Sequence, residues 1–364
     1  MLRITALILA LSLLLGGCTG FLDSSYVYVT PHQEQDSQTE EQIVSVSNYD
    51  SLVSTICDMV EIGTQSGIIS VARYDQATVD RDMRKAIDYA MTVDPIGAYA
   101  VSDISYDLGT NAGQPAVALS ITYIHDRSEI RKIQWTKNWS QAEEALKKAL
   151  DNCESGIVLY LQDYEDVDFD QWVAFYAAAN PERVIELPEV TANLYPDSGR
   201  ERIVELKFTY QNSRDALRNM QTQVQRVFTS AVYYISSDAS DSQKYSQLYA
   251  FLMERFEYKL ETSITPAYSL LQHGVGDSKA FATVYAAMCL RAQLECITVT
   301  GTRAGEPWYW NIVSCDGAYY HVDLLRSSEN DAFALLSDQE MTGYVWDYSA
   351  YPVCSSVSNE VMEE

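Results

Sequence analysis

Positive charge is scarce in this sequence. Its 364 residues hold 25 Lys and Arg against 51 Asp and Glu, a formal charge of −26. A chain so balanced has no electrostatic footprint for nucleic acid and no attraction to anionic lipid headgroups. Histidine is scarcer still, with four residues: His32, His125, His273 and His321. No Cys-x-x-Cys pair is present, and His321 after Cys315 is the one His near zinc-ligand spacing. Gly274-x-Gly276 is not followed by a Lys-Ser/Thr pair at phosphate-loop spacing. No apolar run reaches the roughly 20 residues of a spanning helix. No cofactor, no metal and no nucleic-acid partner is therefore expected. What is present is an apolar fraction of 47%, enough for a packed core, and 26 Tyr, which suit half-buried strands. The length corresponds to roughly two to three domains.

Met1-Leu2-Arg3 supplies the one early charge; Ile4 to Leu15 is almost purely apolar, and Gly16-Gly17-Cys18 follows. A basic start, a short apolar run and small residues before a cleavage point describe a secretory signal peptide over 1–17. The small-small-Cys ending is similar to the bacterial lipobox, in which the Cys sulfur takes diacylglycerol and becomes the first residue. Cys18 is thus the expected lipidation site and the membrane the expected partner, with the body at the extracytoplasmic face of a bacterial cell. The alternative is an ordinary signal peptide with an incidental Cys. Residues 18–47 are polar and acidic (Gln33-Glu34-Gln35-Asp36, Glu40-Glu41-Gln42) and read as a solvated stalk. Six further cysteines remain: Cys57, Cys153, Cys289, Cys296, Cys315 and Cys354. Their even number permits disulfides, with about 15 possible pairings. Buried free thiols are the other reading.

An internal repeat follows. Ser66-Gly67-Ile68-Ile69 recurs as Ser155-Gly156-Ile157-Val158, Asp94-Pro95 as Asn180-Pro181, and Val117, Leu119, Ile121, Tyr123 as Val204, Leu206, Phe208, Tyr210. Each copy reads as a strand, a helix, a break before Pro and a hairpin whose second strand alternates with period two. A further helix closes each copy. Two β-α-β-β units are expected, 48–140 and 141–230, packed on each other. Asp166, Asp168 and Asp170 start like a calcium loop, but Gln171 stands where Gly is needed and Ala177 where Glu is needed. Acids at a helix N-terminus are the better reading.

From about Asp238 the pattern changes to an amphipathic helix, a loop and a second helix capped by Asp277 with Ser278 in its first turn. Cys296 to Gly301 reads as a strand. Trp308-Tyr309-Trp310-Asn311-Ile312-Val313, a turn at Asp316-Gly317, and Tyr319-Tyr320-His321-Val322-Asp323 complete the order. These residues resemble the transglutaminase-like superfamily, within the papain-like cysteine-nucleophile group. In that family a Cys-x-Gly-Tyr-Ala motif opens the buried helix, a His-Ala-Trp-Asn strand follows, and a Trp-Tyr-x-Val-Asp strand ends on the third catalytic group. Here Ser278-Lys279-Ala280-Phe281-Ala282 occupies the first motif and Trp308-Tyr309-Trp310-Asn311 the second. Asp323 ends the third. Anchoring on Gly276 instead loses the match at Ala282. The ending Gly343-Tyr344-Val345-Trp346-Asp347 also resembles such domains in Firmicutes lipoproteins.

The resemblance implies an α+β chain: a pair of β-α-β-β repeats followed by a transglutaminase-like domain over 238–356. It further implies that Ser278, Trp308 and Asp323 stand at the Cys, His and Asp positions of the triad. Acyl transfer needs a thiolate, an imidazole base and an acid that orients it. A serine hydroxyl without a base is a weak nucleophile, and an indole N–H only donates. The implied protein is a pseudoenzyme that binds peptide, protein or cell-wall polymer, with His273, Tyr309, Trp310 and His321 as possible cleft residues. The alternatives are a hydrolase or acyltransferase using Ser278 with His273 or His321 as base, and a purely structural surface module.

Overall fold

The structure is a computed structural model that describes residues 43–260, 263–329 and 332–355. The signal segment, Cys18 and the stalk up to residue 42 lie outside the described residues. The architecture is α+β, with one four-stranded sheet in each of three successive regions and a separate two-stranded pair.

The first region runs β1 (Val44–Ser45), α1 (Tyr49–Glu61), β2 (Ser66–Ser70), α2 (Val79–Thr92), α3 (Pro95–Ala100), β3 (Val101–Asn111), β4 (Gln114–Tyr123) and α4 (Arg127–Ile130). The second runs β5 (Gln134–Thr136), α5 (Trp139–Asp151), β6 (Gly156–Leu161), α6 (Phe169–Ala179), β7 (Glu189–Tyr195), β8 (Arg202–Thr209) and α7 (Arg214–Tyr234). The sheet orders are β1-β2-β4-β3 and β5-β6-β8-β7, so the two regions share one topology.

Three details differ from the sequence reading. Each unit opens with an extra parallel strand and helix, β1-α1 and β5-α5. The stalk therefore does not extend to residue 47: Val44 and Ser45 already pair with β2, and Val46 is 1% exposed. Second, Ile69 pairs with Val117 and Leu159 pairs with Val204, and all four are core residues. The partner of Ile69 in the second copy is thus Leu159 rather than Val158. A one-residue slip in a strand exchanges its two faces, so only this alignment keeps both copies buried. Third, Asp94 caps the short helix α3, with Pro95 at its first position, whereas Asn180 ends α6 and only turns follow.

The units pack on each other. Tyr160 and Ile203 of the second join the core of the first, and the Tyr99 and Tyr195 rings meet edge-on at 5.5 Å.

The third region comprises α8 (Asp241–Met253), β9 (Glu257–Tyr258), α9 (Pro266–Tyr268) running into a π-turn at Ser269–His273, β10 (Val275–Gly276) and α10 (Ser278–Arg291). It continues with β11 (Cys296–Arg303), β12 (Glu306–Cys315), β13 (Ala318–Val322), α11 (Leu324–Glu329) and β14 (Tyr344–Trp346). The sheet β13-β12-β11-β14 lies on α10. Both of its tight turns use consecutive left-handed residues, Ala304-Gly305 and Asp316-Gly317, the conformation a two-residue hairpin needs.

Helix α10 is buried on most of its circumference. Behind it lie α7 and α8, whose Leu217, Val224, Phe228, Tyr245 and Leu252 share its core. Helix α7 therefore closes the second unit in sequence yet packs into the third region. Tyrosines account for much of this burial. Tyr245 donates to the carbonyls of Glu295 at 2.6 Å and Ser314 at 3.0 Å, and Tyr285 donates to that of Tyr245 at 3.0 Å. Each buries a ring while its hydroxyl stays paired. Cys57, Cys153, Cys289, Cys296, Cys315 and Cys354 are all free thiols. No helix among the described residues is long and apolar enough to cross a membrane.

Candidate functional site

Ser278 is the first residue of α10. Asp277 caps that helix in an extended conformation, its carboxylate accepting from the Ala280 N–H at 2.8 Å. Ser278 is 6% exposed. Its Oγ accepts one hydrogen bond, from the Tyr309 backbone N–H at 3.4 Å. That contact joins the start of α10 to β12 at the residue after Trp308.

Trp308 is half-buried, and its indole N–H donates to Asp323 Oδ2 at 2.8 Å. Asp323 is 2% exposed and sits between β13 and α11. The Tyr344 hydroxyl of β14 donates to the same Oδ2 at 2.6 Å. Oδ1 accepts from the Leu325 and Arg326 N–H groups at 3.0 and 3.2 Å, which caps α11. Both carboxylate oxygens thus carry two donors, and none is an imidazole. Burial, then the neighbouring Asp323 charge, push the Tyr344 phenol well up, so it stays a donor. The Trp308 ring is flanked by the Arg303 guanidinium at 5.2 Å and the Tyr258 ring at 5.6 Å. Arg303 in turn pairs with Glu329.

Two residues along β12, Trp310 builds a second polar chain. Its indole N–H donates to His321 Nδ1 at 2.9 Å. Because an indole only donates, Nδ1 is an acceptor, and Nε2 carries the proton. Nε2 then donates to Asp338 Oδ1 at 2.9 Å, and Asp338 Oδ2 accepts from the Cys354 N–H at 3.3 Å. Burial lowers the His321 pKa, with Asp338 opposing, and its ring is fully inaccessible.

His321, Asp338 and Cys354 bring three potential ligand atoms within 4.8 Å of one another. The donor set does not fit a metal. Nε2 is occupied by its proton as long as Trp310 holds Nδ1, and burial pushes the Cys354 thiol up to about 12.

The remaining expected residues fall as follows. His273 is exposed at the end of the π-turn, edge-on to Tyr268 at 5.4 Å. Among the described residues no histidine hydrogen-bonds to Ser278, and both nitrogens of His321 are engaged. The Tyr309 ring lies under the Lys279 ammonium at 5.6 Å. Asn311 donates to the Ala282 carbonyl at 2.9 Å, while its buried Oδ1 has no hydrogen-bond partner among the described residues. Asp168 caps α6 by accepting from the Gln171 N–H at 2.9 Å.

Sequence reasoning missed Tyr344, Arg303 and Asp338. Tyr344 stands in the Gly343-Tyr344-Val345-Trp346 ending, whose likeness to other domains was its only signal.

Residues 229–335 match the model of the transglutaminase-like superfamily. Among solved structures, the chain is similar to a TGase at 11% identity and a TM-score of 0.26, over 60% of this chain and 63% of that one. It is similar to a candidate protease from Parabacteroides distasonis at 9% and 0.23, over 70% of this chain and 39% of that one. A candidate cysteine protease from Cytophaga hutchinsonii is similar at 15% and 0.25, over 46% and 70%. The chain spans less than two thirds of the length of the first two. Among curated proteins none matches.

Proposed function

We propose that this chain, whose residues 229–335 form a transglutaminase-like domain, is a lipid-anchored extracytoplasmic protein in which that domain binds its ligand without acyl transfer. The observation that carries the reading is the 2.8 Å bond from the Trp308 indole to Asp323. In the family this acid orients an imidazole. Here the indole holds the acid and accepts no proton.

Ser278 has the helix N-terminus that would favour a thiolate, but among the described residues its hydroxyl meets no base. Members of a triad act as a unit, so loss of two of them removes nearly all of the chemical step. A nucleophilic Ser278 assisted by His321 would require His321 to release Trp310 or Asp338. The ligand class is a peptide, a protein or a cell-wall polymer, held at the remodelled cleft and presented outside the membrane by lipid on Cys18.

A fluorophosphonate probe tests the reading on the purified full chain. No labelling of Ser278 is expected. Labelling that disappears in Ser278→Ala overturns it. Mass spectrometry of the same material is expected to find diacylglycerol on an N-terminal Cys18, and an unmodified downstream N-terminus overturns the anchor.

A further inference from the structure

Beside the Ser278 cleft lies a separate concavity between the second repeat unit and the transglutaminase-like domain. Two helices and two strands line it. Helix α6 presents Phe175, Ala178 and Ala179, and α10 presents Lys279, Thr283, Ala286, Ala287 and Leu290. Spacings of three and four on α6, and of four, seven, eight and eleven on α10, are one helical stripe on each helix. Strand β11 contributes Cys296, Thr298 and Thr300, alternate residues of one face, together with Ile297 between them, and Tyr309 of β12 completes the lining.

The cavity measures about 500 Å³, within the range of small-molecule sites. Four alanines make the room. Of its lining residues, Phe175 and Leu290 keep 76% and 61% of their surfaces exposed.

Charge selects the ligand. The chain holds 51 acidic residues, yet among the described residues no Asp or Glu lines this cavity, and Lys279 is the one charged group that does. Among the described residues the Lys279 ammonium makes no ion pair, and its recorded contact is the Tyr309 ring. The exposed Lys279 is therefore a positive point on the lining in a strongly negative molecule. The walls behind it are apolar, with threonine hydroxyls spaced along them.

We infer that this junction cavity is a binding site for a small amphipathic anion, an apolar body ending in one carboxylate, with the carboxylate on Lys279 and the body between α6, α10 and β11. A dicarboxylate lacks a second cation, and a cationic head meets like charge. The site adjoins the Ser278 cleft, because Lys279 and Tyr309 are the chain neighbours of Ser278 and Trp308. It does not depend on whether Ser278 is inert, and the fluorophosphonate result has no bearing on it.

Calorimetric titration of the full chain, with Cys18→Ala to remove the acyl acceptor, tests it with 4-phenylbutyrate, 4-phenylbutan-1-ol and 4-phenylbutylamine. The carboxylate is expected to bind about tenfold or more tightly than the alcohol, the amine not at all. Lys279→Glu is expected to abolish carboxylate binding, and Lys279→Arg to keep it within about threefold. Ala178→Trp, which adds volume from an exposed position, is expected to block carboxylate and alcohol alike. An unchanged circular-dichroism melt shows that each variant is folded. Equal affinity for the three head groups, binding that survives Ala178→Trp, or no heat with any probe overturns the inference.

Discussion

Trp308 and Trp310 lie two residues apart on one strand and face the same side of the sheet, yet they sit in opposite regimes. Trp310 is 1% exposed and reaches its acid through an interposed histidine, whose other nitrogen serves Asp338. Trp308 is half-buried and bonds Asp323 directly. The histidine of this pair is therefore the sealed one, and the open position has none. The presence of an imidazole near the site says little about catalysis. What matters is whether a nitrogen lone pair is free, and the indole of Trp310 takes the one His321 has.

Breaking the sealed side costs most. Trp310→Ala removes a fully buried ring and leaves His321 Nδ1 without a donor. It is expected to destabilise the chain by about 3–5 kcal/mol in urea unfolding, through the cavity and the orphaned acceptor together. A loss equal to that of a surface substitution breaks the comparison.

The open side is expected to be more tolerant. Trp308→Phe keeps most of the ring, and Asp323 retains Tyr344 and two backbone donors. A loss of about 1 kcal/mol is expected, measured in the same unfolding series.

Acidity sharpens the contrast further. The His321 pKa is lowered in the folded state by burial, so the unfolded chain takes up its proton first. Stability from this group is complete above the unfolded value, about 6.5, and declines as pH falls from there towards the folded value. The groups facing the ring include Trp310, Asp338, Trp346 and the Cys354 thiol. Removing the titratable group with His321→Gln is expected to flatten the melting temperature against pH across that window, whereas Trp308→Phe leaves the slope as it was. An unchanged slope in His321→Gln contradicts the neutral, buried imidazole.

Several elements were legible in the chain alone because their cause is local. The repeat hairpins follow from the period-two alternation of their second strands, and the turn at Asp316-Gly317 from its Asp-Gly pair. Asp168 and Asp277 read as caps because a short side-chain acceptor before an apolar helix satisfies free N–H groups. The repeat was visible, and its strand was aligned one residue out, because Ser-Gly-Ile matched better than the buried face did. The opening strands β1 and β5 were not visible: at two and three residues, neither is long enough to show a period.

By itself, then, the sequence determined the α+β plan, the twofold repeat and the succession of Ser278, Trp308 and Asp323, since each is read from short motifs, a few residues long, whose order along the chain is explicit. Only the tertiary structure decided where the polar groups end. Tyr344 lies 21 residues from Asp323, and Asp338 lies 17 from His321. Phe175 meets Lys279 in one cavity from a different region of the chain. A buried donor takes whichever acceptor the packing brings within about 3 Å, and no local pattern encodes that choice.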